Sequence, residues 1–133
     1  MNVVSNCDFL LKKEVFIITT YCCCCSFYTA LPSITSGLND FYSVQLGDRF
    51  TFECAARGIP VPNIVWLKDE SLFINDFYDT SNLEITYSDP FNSQVTSTLT
   101  ISEVSFGYRG TYTCLATNNA GSDSSTGILT ITG

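Results

Sequence analysis

From residue 40 to the C-terminus, apolar and polar side chains alternate in short bursts separated by turn-forming residues. Phe50, Phe52 and Cys54 alternate with Thr51, Glu53 and Ala55, which gives one apolar face and one mixed face. Ile64 and Trp66 share a face across Val65, and Leu99 and Ile101 alternate with Thr98, Thr100 and Ser102. Tyr112, Cys114 and Ala116 alternate with three threonines, and Leu129 and Ile131 with Ile128, Thr130 and Thr132. Between these runs stand Leu46-Gly47-Asp48, Gly58-Ile59-Pro60-Val61-Pro62, Ser88-Asp89-Pro90 and Asn118-Asn119-Ala120-Gly121, all turn chemistry. No helical period of 3.6 persists for three turns. The pattern predicts an all-β chain of at least six short, half-buried strands, and such strands bury their apolar faces against one another in a two-layer sandwich.

The residues before this region have a different texture, and three segments result. Residues 1–31 form a hydrophobic leader, 32–37 (Pro32-Ser33-Ile34-Thr35-Ser36-Gly37) a polar, turn-forming junction, and 38–133 the β domain. Val15 to Leu31 carries no charge and follows Lys12-Lys13. One reading is a signal peptide cleaved after Ser26, with Cys24 and Ser26 as the small residues at the cleavage site. A second is a membrane anchor, although a span takes about 20 apolar residues and Thr19, Thr20, Ser26 and Thr29 dilute this run. A third is a spurious start upstream of an exon. The first two place the N-terminus in the cytoplasm and everything after the run outside, because positive charge stays inside.

Composition narrows the chemistry. The chain is 45% hydrophobic and 14% charged, apolar enough to build a core. Its net charge of −7 falls entirely in residues 38–133, since Lys12 and Lys13 balance Asp8 and Glu14 in the leader. An acidic domain does not neutralise phosphates, so nucleic acid is excluded as a partner. Histidine is absent, which removes His-dependent triads and His-ligated zinc. The run Cys22-Cys23-Cys24-Cys25 has no second pair at zinc spacing, and adjacent cysteines bridge poorly; it reads as small apolar filler. With the leader set aside only Cys54 and Cys114 remain. An even count in an exported domain suits one disulfide, and closing a separation of this length stabilises by about 4 kcal/mol in the chain-entropy description.

Trp66 follows Cys54 by twelve residues and Tyr112 precedes Cys114 by two. This Cys…Trp…Tyr-x-Cys arrangement resembles the immunoglobulin fold. The likeness tightens to the I-set domains of adhesion and guidance receptors. Gly47 to Gly58 is similar to strand B of that family. Gly58-x-Pro60-x-Pro62 leading to Ile64-Val65-Trp66-Leu67-Lys68-Asp69 resembles its B–C turn and strand C. Ser97 to Ser102 resembles strand E, and Gly110 to Gly121 strand F with the F–G hairpin. The resemblance implies an immunoglobulin-like two-sheet sandwich in which a Cys54–Cys114 disulfide joins the sheets, with Trp66, Tyr112 and Leu99 in the core. One position departs: the family usually has Asp two residues before the Gly of its Gly-x-Tyr-x-Cys motif, and here Tyr108 stands there. The departure predicts a modestly weakened E–F corner, and a higher melting temperature for Tyr108→Asp.

The family resemblance implies an extracellular protein-binding module without catalysis. Its partner would be a protein ligand or another immunoglobulin-like domain, homophilic or heterophilic, with membrane anchoring through the leader as an added option. The candidate surface is the stretch between strands C and E, where Phe73, Ile74, Phe77, Tyr78, Tyr87 and Phe91 are interleaved with acidic residues. Aromatic side chains favour interface cores and charges their rims, so Phe77, Tyr78 and Phe91 are the candidate contacts, and the acids suit a basic partner. The alternative is an intracellular structural module like those of giant muscle proteins, with both cysteines reduced. The sequence holds no phosphate loop or nucleophile elbow, no N-glycosylation sequon and no cofactor motif. Asp69 and Glu70 are adjacent on a C–C′ turn, where they are expected to point apart into solvent. Hard cations need six or more converging oxygens, so a calcium site there is weak.

Overall fold

The computed structural model describes residues 28–72 and 80–133. The leader's cysteine run and its proposed cleavage point lie outside them, as do Phe77 and Tyr78. No helix among the described residues is long and apolar enough to cross a membrane.

The alternating runs become strands: β1 (Ala30–Ser36), β2 (Phe41–Gln45), β3 (Phe50–Ile59), β4 (Asn63–Lys68), β5 (Ser71–Leu72), β6 (Leu83–Tyr87), β7 (Gln94–Ile101), β8 (Gly110–Asn118) and β9 (Gly121–Thr132). They form a four-stranded sheet in the order β1-β3-β7-β6 and a five-stranded sheet in the order β2-β9-β8-β4-β5. The β2–β9 pair is parallel and the other described pairs are antiparallel. The sequence-based expectation of an all-β two-sheet sandwich holds.

The sheets meet over a core that includes Phe52, Trp66, Leu99, Tyr112 and Leu129, each almost fully buried. Phe52 packs on Tyr112 with ring centroids 4.6 Å apart, and edge-on against Tyr42 at 5.1 Å. Two links cross between the sheets side by side. Cys54 of β3 is joined to Cys114 of β8, with Cα atoms 6.5 Å apart. The Trp66 indole N–H of β4 donates to the Ser97 hydroxyl of β7 at 2.9 Å, and that hydroxyl donates onward to the Thr86 carbonyl. Ser97 lies opposite Cys54 in one sheet, and Trp66 opposite Cys114 in the other. Covalent and polar links therefore fix the same register from both sides.

Residues 32–37, expected as a junction, are mostly strand: β1 pairs with β3 from Ala30 to Ser36. Pro32 lacks an N–H, yet an edge strand has one side free of ladder bonds, and β1 is an edge with register shifts along it. The chain then crosses to the other sheet. The Ile34 N–H donates to the Asp123 carboxylate and the Leu38 N–H to the Ser125 hydroxyl, both at 2.8 Å. Gly127 makes that crossing possible, since a Cβ there would stand 2.3 Å from the Asn39 carbonyl oxygen.

The turn after β4 also differs from expectation. Asp69 and Glu70 take left-handed backbone (φ +50° and +71°), the geometry of a two-residue hairpin turn. Asp69 is not simply solvated. Its carboxylate accepts from the Thr111 N–H and from Lys68 Nζ, both at 2.9 Å, and its own N–H donates to the Thr111 carbonyl at 2.8 Å. The Thr111 N–H, then Lys68, hold its pKa below the usual carboxylate value. Lys68 is 4% exposed, with Nζ 5.9 Å from the Tyr112 ring centroid. Gly110 is required here: its φ is +146°, and a Cβ would come within 2.7 Å of an Asp69 oxygen.

Tyr112 makes the expected corner, its hydroxyl donating to the Tyr108 carbonyl at 2.6 Å. Tyr108 is itself core, 5% exposed at the end of the 3-10 turn Phe106–Tyr108. This overturns the expected benefit of Asp at 108: a carboxylate would replace a packed ring in an apolar site. Tyr108→Asp should lower stability by about 3–5 kcal/mol, read as a fall in melting temperature, whereas Tyr108→Phe keeps most of the packing and should fall much less. Asp69 has a depressed folded pKa, so its contribution is present above the unfolded value and is lost as pH drops through the folded one. Urea midpoints of the native chain should therefore fall more steeply below about pH 4 than those of Asp69→Asn.

Candidate interaction surface

Among the described residues, one side of the sandwich is where β4 of one sheet faces β6 of the other. Tyr87, the last residue of β6, spans this gap: its hydroxyl donates to the Ile64 carbonyl at 3.2 Å. Beside it runs a groove of about 470 Å³, with residues 61–65 on one wall and Tyr87, Pro90 and Val95 on the other. Apart from Asn63 and the Tyr87 hydroxyl, these lining side chains are apolar. Their apolarity follows from position, because Ile64 and Val95 are core residues near the starts of β4 and β7.

Phe91 stands 76% exposed near this groove's Pro90 wall in sequence. It sits on a rigid turn rather than a loose loop. Phe91 and Gln94 exchange both backbone hydrogen bonds at 2.9 Å, closing a two-residue connection in which Asn92 and Ser93 have positive φ. The Gly58 N–H donates to the Ser93 carbonyl at 3.0 Å and ties that turn to β3. An aromatic ring held out by a fixed backbone loses little freedom on binding, which is what an interface anchor needs. Glu84 and Asp89 are exposed on the same stretch and leave the rim acidic.

Of the candidate contacts, Phe91 is thus placed at the surface, and Phe77 and Tyr78 lie outside the described residues. Among the interleaved acids, Asp69 is tied to β8 and Lys68. Residues 61–65 were not singled out by sequence as a groove wall: the Pro-flanked run reads as a turn leading into a buried strand, and the opposite wall, Tyr87, Pro90 and Val95, comes from distant positions. Among the described residues no group of three or more Cys, Asp or Glu is placed to hold a metal.

Comparison with known proteins agrees with this architecture. The immunoglobulin I-set domain model matches residues 32–131. Human matrix-remodeling-associated protein 5 is 35% identical over 97 residues, which cover 70% of this chain and 3% of that protein. The mouse cell adhesion molecule DSCAML1 is 32% identical over 102 residues, 77% of this chain and 4% of that protein. The chain therefore spans only a few per cent of the length of these curated relatives. Titin domain M7 superimposes with a TM-score of 0.66 at 27% identity, covering 80% of this chain and 98% of that domain. With the family model matched from within β1 to within β9, and the Cys54, Trp66, Tyr112 and Cys114 motif assembled in one core, the chain belongs to the immunoglobulin I-set family.

Proposed function

We propose that this chain is an extracellular, non-catalytic protein-binding module of cell-adhesion type. The observation that carries the reading is the Cys54–Cys114 bond, since structural disulfides persist in oxidising compartments and are rare in the cytosol. The likeness to a cell adhesion molecule supports it. The leader over residues 1–31 serves as the export signal in this reading. Cleavage after Ser26 would leave β1 whole, because that strand begins at Ala30. The partner is a protein with a basic patch that receives Phe91, Phe77 and Tyr78 on the acidic flank. A second reading, an intracellular structural module, is favoured by the likeness to titin domain M7 and requires reduced cysteines.

Free-thiol titration of the chain isolated from its native source separates the two. The extracellular reading expects Cys54 and Cys114 unreactive until reduction, and a product whose N-terminal residue is Phe27. Two free thiols in the folded domain would establish the intracellular reading instead. Beads coated with the chain should adhere to cells, and replacing Phe77, Tyr78 and Phe91 together by Ser should lower attachment at least tenfold with little change in melting temperature. Equal attachment would remove this flank as the contact surface.

A further inference from the structure

Among the described residues, the groove beside Tyr87 is lined without a single charged side chain, in a domain that carries the chain's full net charge of −7. Ile64 and Val95 line it from the core, Pro62 lies on one wall, and Pro90 and Tyr87 on the other. Tyr87 is 56% exposed, yet its hydroxyl is tied to the Ile64 carbonyl at 3.2 Å. The ring is therefore held in place while much of its surface stays uncovered. A groove of about 470 Å³ has the size and the apolar lining of a ligand site.

Backbone chemistry narrows the class of occupant. A segment that adds to a sheet edge needs a row of backbone donors and acceptors. Here Pro62 and Pro90 have no N–H, and the Ile64 carbonyl already accepts from Tyr87. The turn after Pro90 is closed on itself, because the N–H groups of Phe91 and Gln94 donate to each other's carbonyls. A segment in the polyproline II conformation makes no such demand. It has no internal hydrogen bonds, its prolines have no N–H to satisfy, and its rings dock on grooves lined by aromatic side chains. A rise of about 3.1 Å with three residues per turn puts every third residue on one side. A Pro-x-x-Pro run therefore turns both of its rings toward the same wall.

We propose that this groove binds a proline-rich segment of another protein, in the polyproline II conformation and flanked by Arg or Lys. The inference rests on the reading of this flank as the contact surface, and names the chemistry of what the flank receives. Charge selects the flanking residues. Asp89 is exposed between Tyr87 and Pro90 in sequence, and Glu84 is exposed three residues before Tyr87. Arg57 lies opposite Gln94 on the outward face of the four-stranded sheet and does not line the groove. Basic residues outside an uncharged channel meet these acids in solvent, and prolines inside it bring no charge to desolvate. Phe91, 76% exposed on its closed turn, offers a second ring to a segment that runs past Pro90. A proline-rich segment is already extended before it binds, so it loses less freedom than a flexible chain.

Fluorescence anisotropy tests this with a dye-labelled peptide of eight prolines carrying two arginines at each end, titrated with the oxidised full chain. The peptide should bind saturably, and less tightly as salt rises from about 20 to 300 mM, because screening weakens its attraction to the acids. A peptide with the same arginines and glycine in place of every proline should bind at least tenfold more weakly. Tyr87→Ala, which removes the ring, should weaken binding of the proline peptide at least tenfold. Asp89→Lys, at an exposed position, should do the same with an unchanged melting temperature. No binding at about 1 mM chain, a concentration that would reveal even a millimolar affinity, overturns the proposal. So does equal binding of the glycine peptide, or binding that Tyr87→Ala and Asp89→Lys leave unchanged. The bead assay on Phe77, Tyr78 and Phe91 reads the flank by itself. Attachment lost in that triple variant, with no binding of the proline peptide, overturns the proline-rich occupant and leaves the flank standing.

Discussion

The structure depends on one constraint, the fixed distance and register between its two sheets at the level of Cys54. Two links set it. The covalent one joins β3 to β8, and the hydrogen bond from Trp66 to Ser97 joins their ladder neighbours β4 and β7. A slip of one residue in either sheet would turn every inward side chain outward. Neither link alone excludes a slip in the neighbouring pair, whereas the two together tie both ladders. The Trp66 N–H would be costly to bury unpaired; the Ser97 hydroxyl accepts its hydrogen bond and donates its own to the Thr86 carbonyl, so the polar crossing leaves that donor satisfied.

Away from these links, strand length decides what is open. Among the described residues, β5 (Ser71–Leu72) and β6 (Leu83–Tyr87) are short beside the twelve-residue β9. The opening is propped by Tyr87 and lined by the apolar ends of β4 and β7. On the opposite side, backbone donors of residues 34 and 38 bond to β9 side chains and draw the crossing segment closely onto the sheet. The same fold thus offers a flank that carries exposed Phe91 and Asp89, and a sheet face whose outward positions on β2, β4, β8 and β9 are uncharged, each a consequence of which side chains point outward.

The parts of this structure that were legible in sequence share a cause. Period-two alternation exposes Phe50 to Cys54, Leu99 to Ile101 and Tyr112 to Ala116 as half-buried strands, and the family resemblance carried by the Cys, Trp and Tyr motif implies which of them face each other. The parts that were not legible depend on partners far along the chain. β1 hides behind Pro32 and Gly37, which read as a turn until β3 is known to supply its one ladder. Asp69 reads as a solvated turn acid until Thr111, 42 residues later, offers its N–H. Tyr108 looks like a missing carboxylate in a family motif, and only packing reveals a ring in the core. For the candidate surface, sequence reveals the exposed aromatic Phe91 but not the groove wall at residues 61–65, since its opposite wall, Tyr87, Pro90 and Val95, comes from more than twenty residues away.

The distribution of charge distinguishes the sheet face from the flank. A net charge of −7 spread evenly would make any face repel a second copy and attract a cation-rich protein, with no discrimination between them. Here the outward positions of β2, β4, β8 and β9 are free of charge, while Glu84 and Asp89 stand exposed on the flank. Long-range steering acts through the summed field of the domain and brings basic surfaces toward the acids. Attraction that acts through the summed field requires no buried ion pair, whose desolvation is expensive.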